Sequence, residues 1–229
     1  MKKMFILLAF LLYVFAANAQ VRFGLKAGYN LTDVKMKTDA YNIRGLDYNK
    51  VSGYHAGVMV DVALGEHFAL QPGLLYTLRG FDAGGRVPGP LDGPVDASVK
   101  ARYHYLELPV NFLYKYSLGP GKFFAGAGPF LAYAVRGRVN RAYDGYTYPE
   151  EIVVLLDKQK VYNGIEEPRQ YLRPFNAGVG FTLGYEFNAG ILISANYNLG
   201  LTDVEPQPEL SHKSRSLGIS IGYLFNNGK

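Results

Sequence analysis

Twelve glycines fall on one side of the alternating segments of this chain, and that side is the polar one. From residue 21 onward the sequence divides into eight stretches in which large apolar residues alternate with polar or small ones. Gly24, Gly28, Gly57, Gly73, Gly126, Gly128, Gly178, Gly180, Gly184, Gly200, Gly218 and Gly222 share parity with the polar residues. The opposite parity carries Val, Leu, Ile, Phe and Tyr almost without interruption. A soluble sheet turns its large apolar side chains inward; here the small, polar face is the cramped one. That arrangement suits a narrow barrel whose apolar exterior meets lipid.

The amino terminus reads as a leader rather than as part of the fold. Lys2 and Lys3 are followed by an apolar run, Phe5 to Phe15, and by the small-x-small sequence Ala17-Asn18-Ala19. Cleavage is expected after Ala19, giving a signal peptide over 1–19 and a barrel domain over 20–229. With no Cys, the chain offers no disulfide and no thiolate metal ligand. No segment approaches the roughly 20 consecutive apolar residues of a transmembrane helix, so a membrane crossing has to be made by a closed barrel. The formal charge is +5; the two leader lysines account for two of these, leaving +3 on charges scattered without a basic stripe. Nucleic acid is therefore not an expected partner.

The segments are Val21–Leu31, Gly53–Leu64, His67–Arg79, Arg102–Tyr116, Lys122–Arg136, Tyr171–Phe187, Gly190–Leu201 and Ser216–Phe225. Each is long enough for the roughly 9–11 tilted residues of a transmembrane strand. Tight turns at Gly65-Glu66, Ser117–Gly121 and Asn188-Ala189 alternate with long polar loops over Thr32–Ser52, Gly80–Ala101, Gly137–Gln170 and Thr202–Arg215. Short turns at one rim and long loops at the other predict an all-β, eight-stranded antiparallel up-and-down transmembrane barrel with periplasmic turns, monomeric in the outer membrane. Phe23, Phe68, Tyr114, Tyr116, Phe123, Tyr185, Phe187, Tyr223 and Phe225 gather near the turn rim on the apolar parity, as an interfacial girdle would. Within the third loop, Glu151–Leu156 reads either as a hairpin extending the wall or as a short helix. Pro72, Pro109, Pro129 and Pro174 fall inside strands, where each removes a ladder donor; local bulges are the expected accommodation.

Inward parity places Arg22, Lys26, His55, Asp61, Gln71, Glu107, Asn111, Lys115 and Glu186 in the lumen, with ion pairs such as Glu107 to Lys26 or Lys115 available. Such a cluster serves either as a polar path or as a plug of paired charges, and a narrow interior favours the plug. An enzyme is not expected. The nearest nucleophilic constellation, Glu209, Ser211, His212 and Ser214, falls in a polar loop without a rigid element to hold it. His55, His67 and His104 lack metal-ligand spacing, and Gly126-Ala127-Gly128 is only a fragment of a phosphate-binding loop. No metal or cofactor is expected. Asp33 and Asp203 each follow a Leu-Thr pair at a strand end, where turn formation explains them better than a divalent cation does. Tyr143, Tyr146 and Tyr148 form the candidate contact patch, because Tyr offers large contact area at low entropic cost.

Five stretches carry a family likeness: Phe23–Leu31 (FGLKAGYNL), Leu70–Tyr76 (LQPGLLY), Tyr105–Val110 (YLELPV), Tyr197–Asp203 (YNLGLTD) and Leu217–Phe225 (LGISIGYLF). They resemble strands of the outer-membrane β-barrel proteins of Bacteroidota known as PorT-like or porin family. The resemblance implies outer-membrane lipid and the barrel-assembly machinery as partners. It also raises a surface or secretion partner protein, since the eponymous member is linked to protein secretion. The tail Asn226–Lys229 departs from barrels that end at the terminal aromatic, here Phe225, which assembly machinery would recognise.

Overall fold

The computed structural model describes residues 20–38, 46–88, 93–154, 170–202 and 210–225. The leader assigned to residues 1–19 lies outside them. Among the described residues the chain forms strands β1 (Val21–Thr38), β2 (Leu46–Asn49), β3 (Val51–Ala63), β4 (Phe68–Pro88), β5 (Pro94–Ser117) and β6 (Gly121–Tyr143). These are followed by β7 (Tyr146–Val154), β8 (Gln170–Leu172), β9 (Phe175–Phe187), β10 (Ile191–Gly200) and β11 (Leu210–Leu224). Antiparallel pairing runs β1–β3–β4–β5–β6–β9–β10–β11 and returns to β1, where Gly24 faces Leu224 and Thr38 faces Leu210. The sheet thus closes into a ring. Closure removes the free edges that a sheet would otherwise expose. Strands β2, β7 and β8 stand outside this circuit, paired to β4, β6 and β7 respectively, and β7–β8 is parallel.

Polarity is inverted relative to a soluble sandwich. Val58 is 50 % exposed, Leu108 50 % and Ile219 65 %, whereas Asp61 is 1 % and Glu107 2 % exposed. None of the twelve glycines is on the exposed side. At Gly128 and Gly57 an added Cβ would overlap the carbonyl oxygens of Val110 and Leu74 on the neighbouring strands, so the inner wall there has no room even for Ala. The turn-side aromatics gather at one rim as a belt. Eight of the nine are exposed, and Tyr185 is half-buried. Ring pairs link Phe68 with Tyr114 (5.5 Å), Tyr185 with Phe187 (4.9 Å) and Tyr223 with Phe225 (5.2 Å). The three tight turns close on backbone hydrogen bonds from Leu64 to Phe68, Leu118 to Gly121 and Gly190 to Phe187. Gly65, Gly119 and Gly190 hold the positive φ values that these turns require.

The opposite rim differs from the sequence expectation. The segments read as long loops are largely wall: β4 reaches Pro88, β5 begins at Pro94, β6 reaches Tyr143 and β11 begins at Leu210. Of the two readings of the third loop, the hairpin is the one observed. Strands β6 and β7 turn at Asp144-Gly145, whose φ angles of 49° and 83° match the twist of a two-residue hairpin. The segment read as continuous from Tyr171 is broken at Arg173-Pro174 into β8 and β9. Its Pro174 therefore lies between strands, where its carbonyl accepts from Ala134 N–H at 2.8 Å.

The other three prolines are not accommodated by bulges. Pairing lapses beside each and resumes in the same register: β3–β4 between Met59↔Gly73 and Val62↔Leu70, β4–β5 between Pro72↔Val110 and Leu75↔Glu107, and β5–β6 between Pro109↔Phe130 and Phe112↔Ala127. A missing N–H removes a rung without changing residue count, so the strands stay in step. The register shift in the wall occurs elsewhere, at His104/Tyr105 on β5, opposite the extra residue Val135 on β6.

With the exterior apolar and intended for lipid, Val58→Arg is expected to destabilise the folded protein by about 2–4 kcal/mol in lipid vesicles, whereas Tyr146→Arg, on a hairpin tip at the rim opposite the tight turns, is expected to change stability little. Urea unfolding followed by heat-modifiable gel mobility measures both; equal tolerance at the two positions would contradict the exterior assignment.

Candidate functional site

Four of the predicted lumen residues meet in one closed ring of alternating charge near the turn rim. Arg22 comes from β1, Asp61 from β3, Lys115 from β5 and Glu186 from β9. The Lys115 ammonium donates to Asp61 Oδ2 (2.7 Å) and Glu186 Oε2 (2.9 Å). Arg22 donates to the remaining oxygens, Glu186 Oε1 at 2.5 Å and Asp61 Oδ1 at 3.0 Å. Gln71 adds a 3.3 Å bond to Asp61. Two cations and two carboxylates cancel, and the ring ties four strands across the lumen rather than along one ladder. All but Arg22 are buried. Charges removed from water to this degree persist only when paired and hydrogen-bonded.

An apolar layer follows. Met59, Ala69, Leu113, Phe124, Leu192 and Leu224 pack together. Their place follows from the strands: Met59 lies between Asp61 and His55 on β3, and Leu113 between Lys115 and Glu107 on β5.

Beyond it lies a second polar layer. Lys26 donates to Asn196 Oδ1 (2.8 Å), and Asn196 donates to Ser220 Oγ (2.8 Å). Ser220 lies 2.8 Å from His55 Nε2, and His55 Nδ1 lies 3.4 Å from Asn30 Oδ1. Arg79 pairs with Glu107, which also accepts from Asn198 at 3.0 Å. The Arg79 guanidinium sits 5.3 Å from the Phe130 ring centre. A cavity of about 50 Å³ remains in this layer, lined among others by Lys26, His55, Glu107, Asn111 and Thr182. That is space for a few water molecules, not for a solute. Toward the opposite rim, on the β4–β6 side, Phe81, Tyr103, Tyr105, Phe130 and Val139 pack together.

Of the nine residues assigned to the lumen, Lys26, His55, Asp61, Gln71, Glu107, Lys115 and Glu186 are buried and Arg22 and Asn111 half-buried, but the pairing differs from the expected one. The expected contacts of Glu107 with Lys26 or Lys115 are not made: Arg79 takes Glu107, Lys115 takes Asp61 and Glu186, and Lys26 turns to Asn196. Arg79, Asn30, Asn196, Asn198 and Ser220 were missed, although each shares parity with the glycines of its strand. Parity identifies the face; level along the axis decides which partners meet.

The remaining candidates separate. Tyr143 and Tyr146 face each other across the β6–β7 turn, 45 % and 70 % exposed, and Tyr148 pairs by backbone with Arg141, its side chain lying outside the described residues. Ser211 and His212 are not in a loop but in β11, opposite Lys37 and Met36, and Ser214 accepts a 3.2 Å bond from Asn176. Glu209 and Asp203 lie outside the described residues. Among those that are described, no group of three His, Asp or Glu has the geometry to hold a metal ion.

Removing the central cation should be costly. Lys115→Met leaves Asp61 and Glu186 sharing Arg22 alone, and a loss of about 3–5 kcal/mol is expected. Adding Glu186→Gln restores balance between Arg22 and Asp61 and should recover part of that loss; urea midpoints of the single and double variants in the same vesicles test the coupling.

The chain matches the outer membrane protein beta-barrel domain family over residues 15–205. No curated protein matches it. Similar solved structures include Ail, the attachment invasion locus protein of Yersinia pestis, in complex with the heparin analogue sucrose octasulfate. It is 13 % identical, with 90 % of this chain and 99 % of that chain covered at a TM-score of 0.40. Neisserial surface protein A is 12 % identical over 89 % of this chain and 97 % of its own, with a TM-score of 0.40. OprG from Pseudomonas aeruginosa is 16 % identical over 91 % and 97 %, with a TM-score of 0.43. On the strength of the family match, which spans most of its length, this chain belongs to the outer membrane protein beta-barrel domain family and resides in the outer membrane.

Proposed function

We propose that the chain is an eight-stranded transmembrane barrel, of the PorT-like type, that conducts no solute and acts through the wall it raises above the membrane. The leader is removed after Ala19, and the mature chain is neither an enzyme nor a cofactor carrier. The observation that supports this reading is the layered interior. A neutral ring of four charges, an apolar layer and a second polar layer succeed one another, and the cavity among them holds about 50 Å³. A continuous polar path would have to pass Met59, Leu113, Phe124, Leu192 and Leu224. Binding residues reside preferentially on segments positioned by a rigid scaffold, and here β6 and β7 carry Tyr143 and Tyr146 outward on a hairpin.

In planar bilayers the purified protein is expected to give no steady conductance steps. Steps that change with Glu186→Gln or Lys115→Met would instead support a channel.

Replacing residues 140–149 with Asn-Gly should keep heat-modifiable mobility, because the β6–β7 ladder can close at Val139↔Glu150. The same change should abolish binding of a surface or secretion partner, scored by co-purification from native outer membrane. Retention of the full set of co-purifying proteins by the shortened barrel would place the role elsewhere.

A further inference from the structure

On β5 the outward side chains from Tyr116 to Leu106 are aromatic or aliphatic, with Leu106, Leu108, Phe112, Tyr114 and Tyr116 all exposed. That stretch of eleven residues equals the span of a tilted strand across the apolar core, roughly 9–11 residues. The next outward positions are His104, Arg102 and Lys100. Beside them on β6 stand Arg136, Arg138 and Asn140, in the register His104↔Arg136, Arg102↔Arg138 and Lys100↔Asn140. Together these residues line an open cleft of about 410 Å³. Apolar wall therefore gives way to clustered cations at the depth where outer-leaflet head groups lie.

The bulge makes this cleft. Inward residues on β6 run Phe124, Gly126, Gly128, Phe130, Ala132 and Ala134, so continued alternation would turn Arg136 inward beside Arg79. The extra residue at Val135 shifts the register, since a slip by one residue exchanges the faces of a strand. Val135 and Arg136 are both exposed, and Gly137 and Val139 are buried in place of the arginines.

One described carboxylate stands among these cations: Asp82 lies opposite Lys100 in the β4–β5 register. Asp82 accepts from Arg102 at 2.7 and 3.3 Å, and the Glu151 backbone pairs opposite Arg138 in the β6–β7 ladder. Even with both acidic residues counted, the four full cations Lys100, Arg102, Arg136 and Arg138 leave a positive excess. Directly below the cleft, on the turn side, Leu106 pairs with Tyr133, and Tyr133 packs edge-on against the exposed Phe175 at 5.1 Å.

We propose that this cleft on the outer face of β5 and β6 binds the phosphate groups of an outer-leaflet glycolipid of the lipid A class, with its acyl chains laid against Leu106, Tyr133, Val135 and Phe175. Cations above and apolar wall below match an amphipathic anion; a free anion or an acidic polysaccharide would leave the apolar half of the site unused. The site rests on the outer-membrane placement of the chain and is independent of the β6–β7 hairpin tip. The test is native mass spectrometry of the folded, detergent-solubilised protein. It is titrated with bis-phosphorylated lipid A, with the same lipid stripped of phosphate, and with inorganic phosphate as competitor. Bis-phosphorylated lipid A should bind at least tenfold more tightly than the stripped lipid, resist millimolar inorganic phosphate, and lose at least tenfold on Lys100→Gln with Arg136→Gln. Equal binding of both lipids, displacement by inorganic phosphate, or an unchanged affinity in a double variant that keeps heat-modifiable mobility would each overturn the site. Should that variant fail to fold, the comparison of the two lipids on the unaltered protein decides alone. Loss of barrel behaviour in the unaltered protein would instead refute the membrane reading itself.

Discussion

The lumen is too narrow for ordinary side chains at many of its positions, and most of the architecture follows from that steric limit. Where an inner residue passes close to a neighbouring strand's carbonyl, as at Gly57, Gly128 and Gly178, only hydrogen fits. Large apolar residues cannot be housed inside in quantity and are consigned to the exterior, which is tolerable only against lipid. The inner positions that do carry long side chains then share a confined, poorly hydrated space. Asp61, Glu107, Lys115 and Glu186 are each less than a tenth exposed, so their charges have to cancel locally. The ring of Arg22, Asp61, Lys115 and Glu186 meets this demand with two donors and two acceptors drawn from four strands. A side chain that crosses the lumen fixes the relative height of strands that share no ladder, which backbone pairing alone cannot do.

Much of this was legible because parity survives in the sequence. Every second residue carries the same instruction, and in a barrel with one face in lipid the two faces differ sharply in composition. Face is a local property, so a single strand suffices to read it. Level is not: whether Glu107 meets Lys26, Lys115 or Arg79 depends on strand stagger, which no single strand encodes. Arg79, the last residue of the segment His67–Arg79, continues the inward parity of Gln71, Gly73, Leu75 and Thr77 and reaches the same layer as Glu107.

The outer half of the wall was illegible for a different reason. Once a strand leaves the bilayer its exposed face becomes polar, and the contrast that marks a membrane strand disappears. Segments such as Asp82–Pro88 and Pro94–Lys100, rich in Gly, Pro and charge, then resemble loops, although they pair residue for residue from Asp82↔Lys100 to Pro88↔Pro94. Small inner residues (Ala83, Ala97, Ala101) and the packing of Phe81 and Tyr103 sustain them instead. The prolines mislead in the opposite sense. Pro72, Pro109 and Pro129 suggest irregular wall, but each only deletes a rung from a ladder held in register by its neighbours, and closure supplies pairing on both sides of every strand in the circuit.

Val135 is where these two regimes meet. Turnward of it, outward side chains on β6 contact lipid and inward ones fill a polar lumen. Beyond it, outward side chains are Arg136 and Arg138, while Val139 joins an apolar cluster inside. A strand that kept strict alternation would carry Arg136 into the lumen next to Arg79, adding an uncompensated cation to a layer whose carboxylate, Glu107, is already committed. One inserted residue avoids that buried charge, keeps the apolar cluster intact and delivers the cations to the outer face. The bulge is thus the point at which a wall built for lipid outside and charge inside becomes one built for charge outside and an apolar core inside.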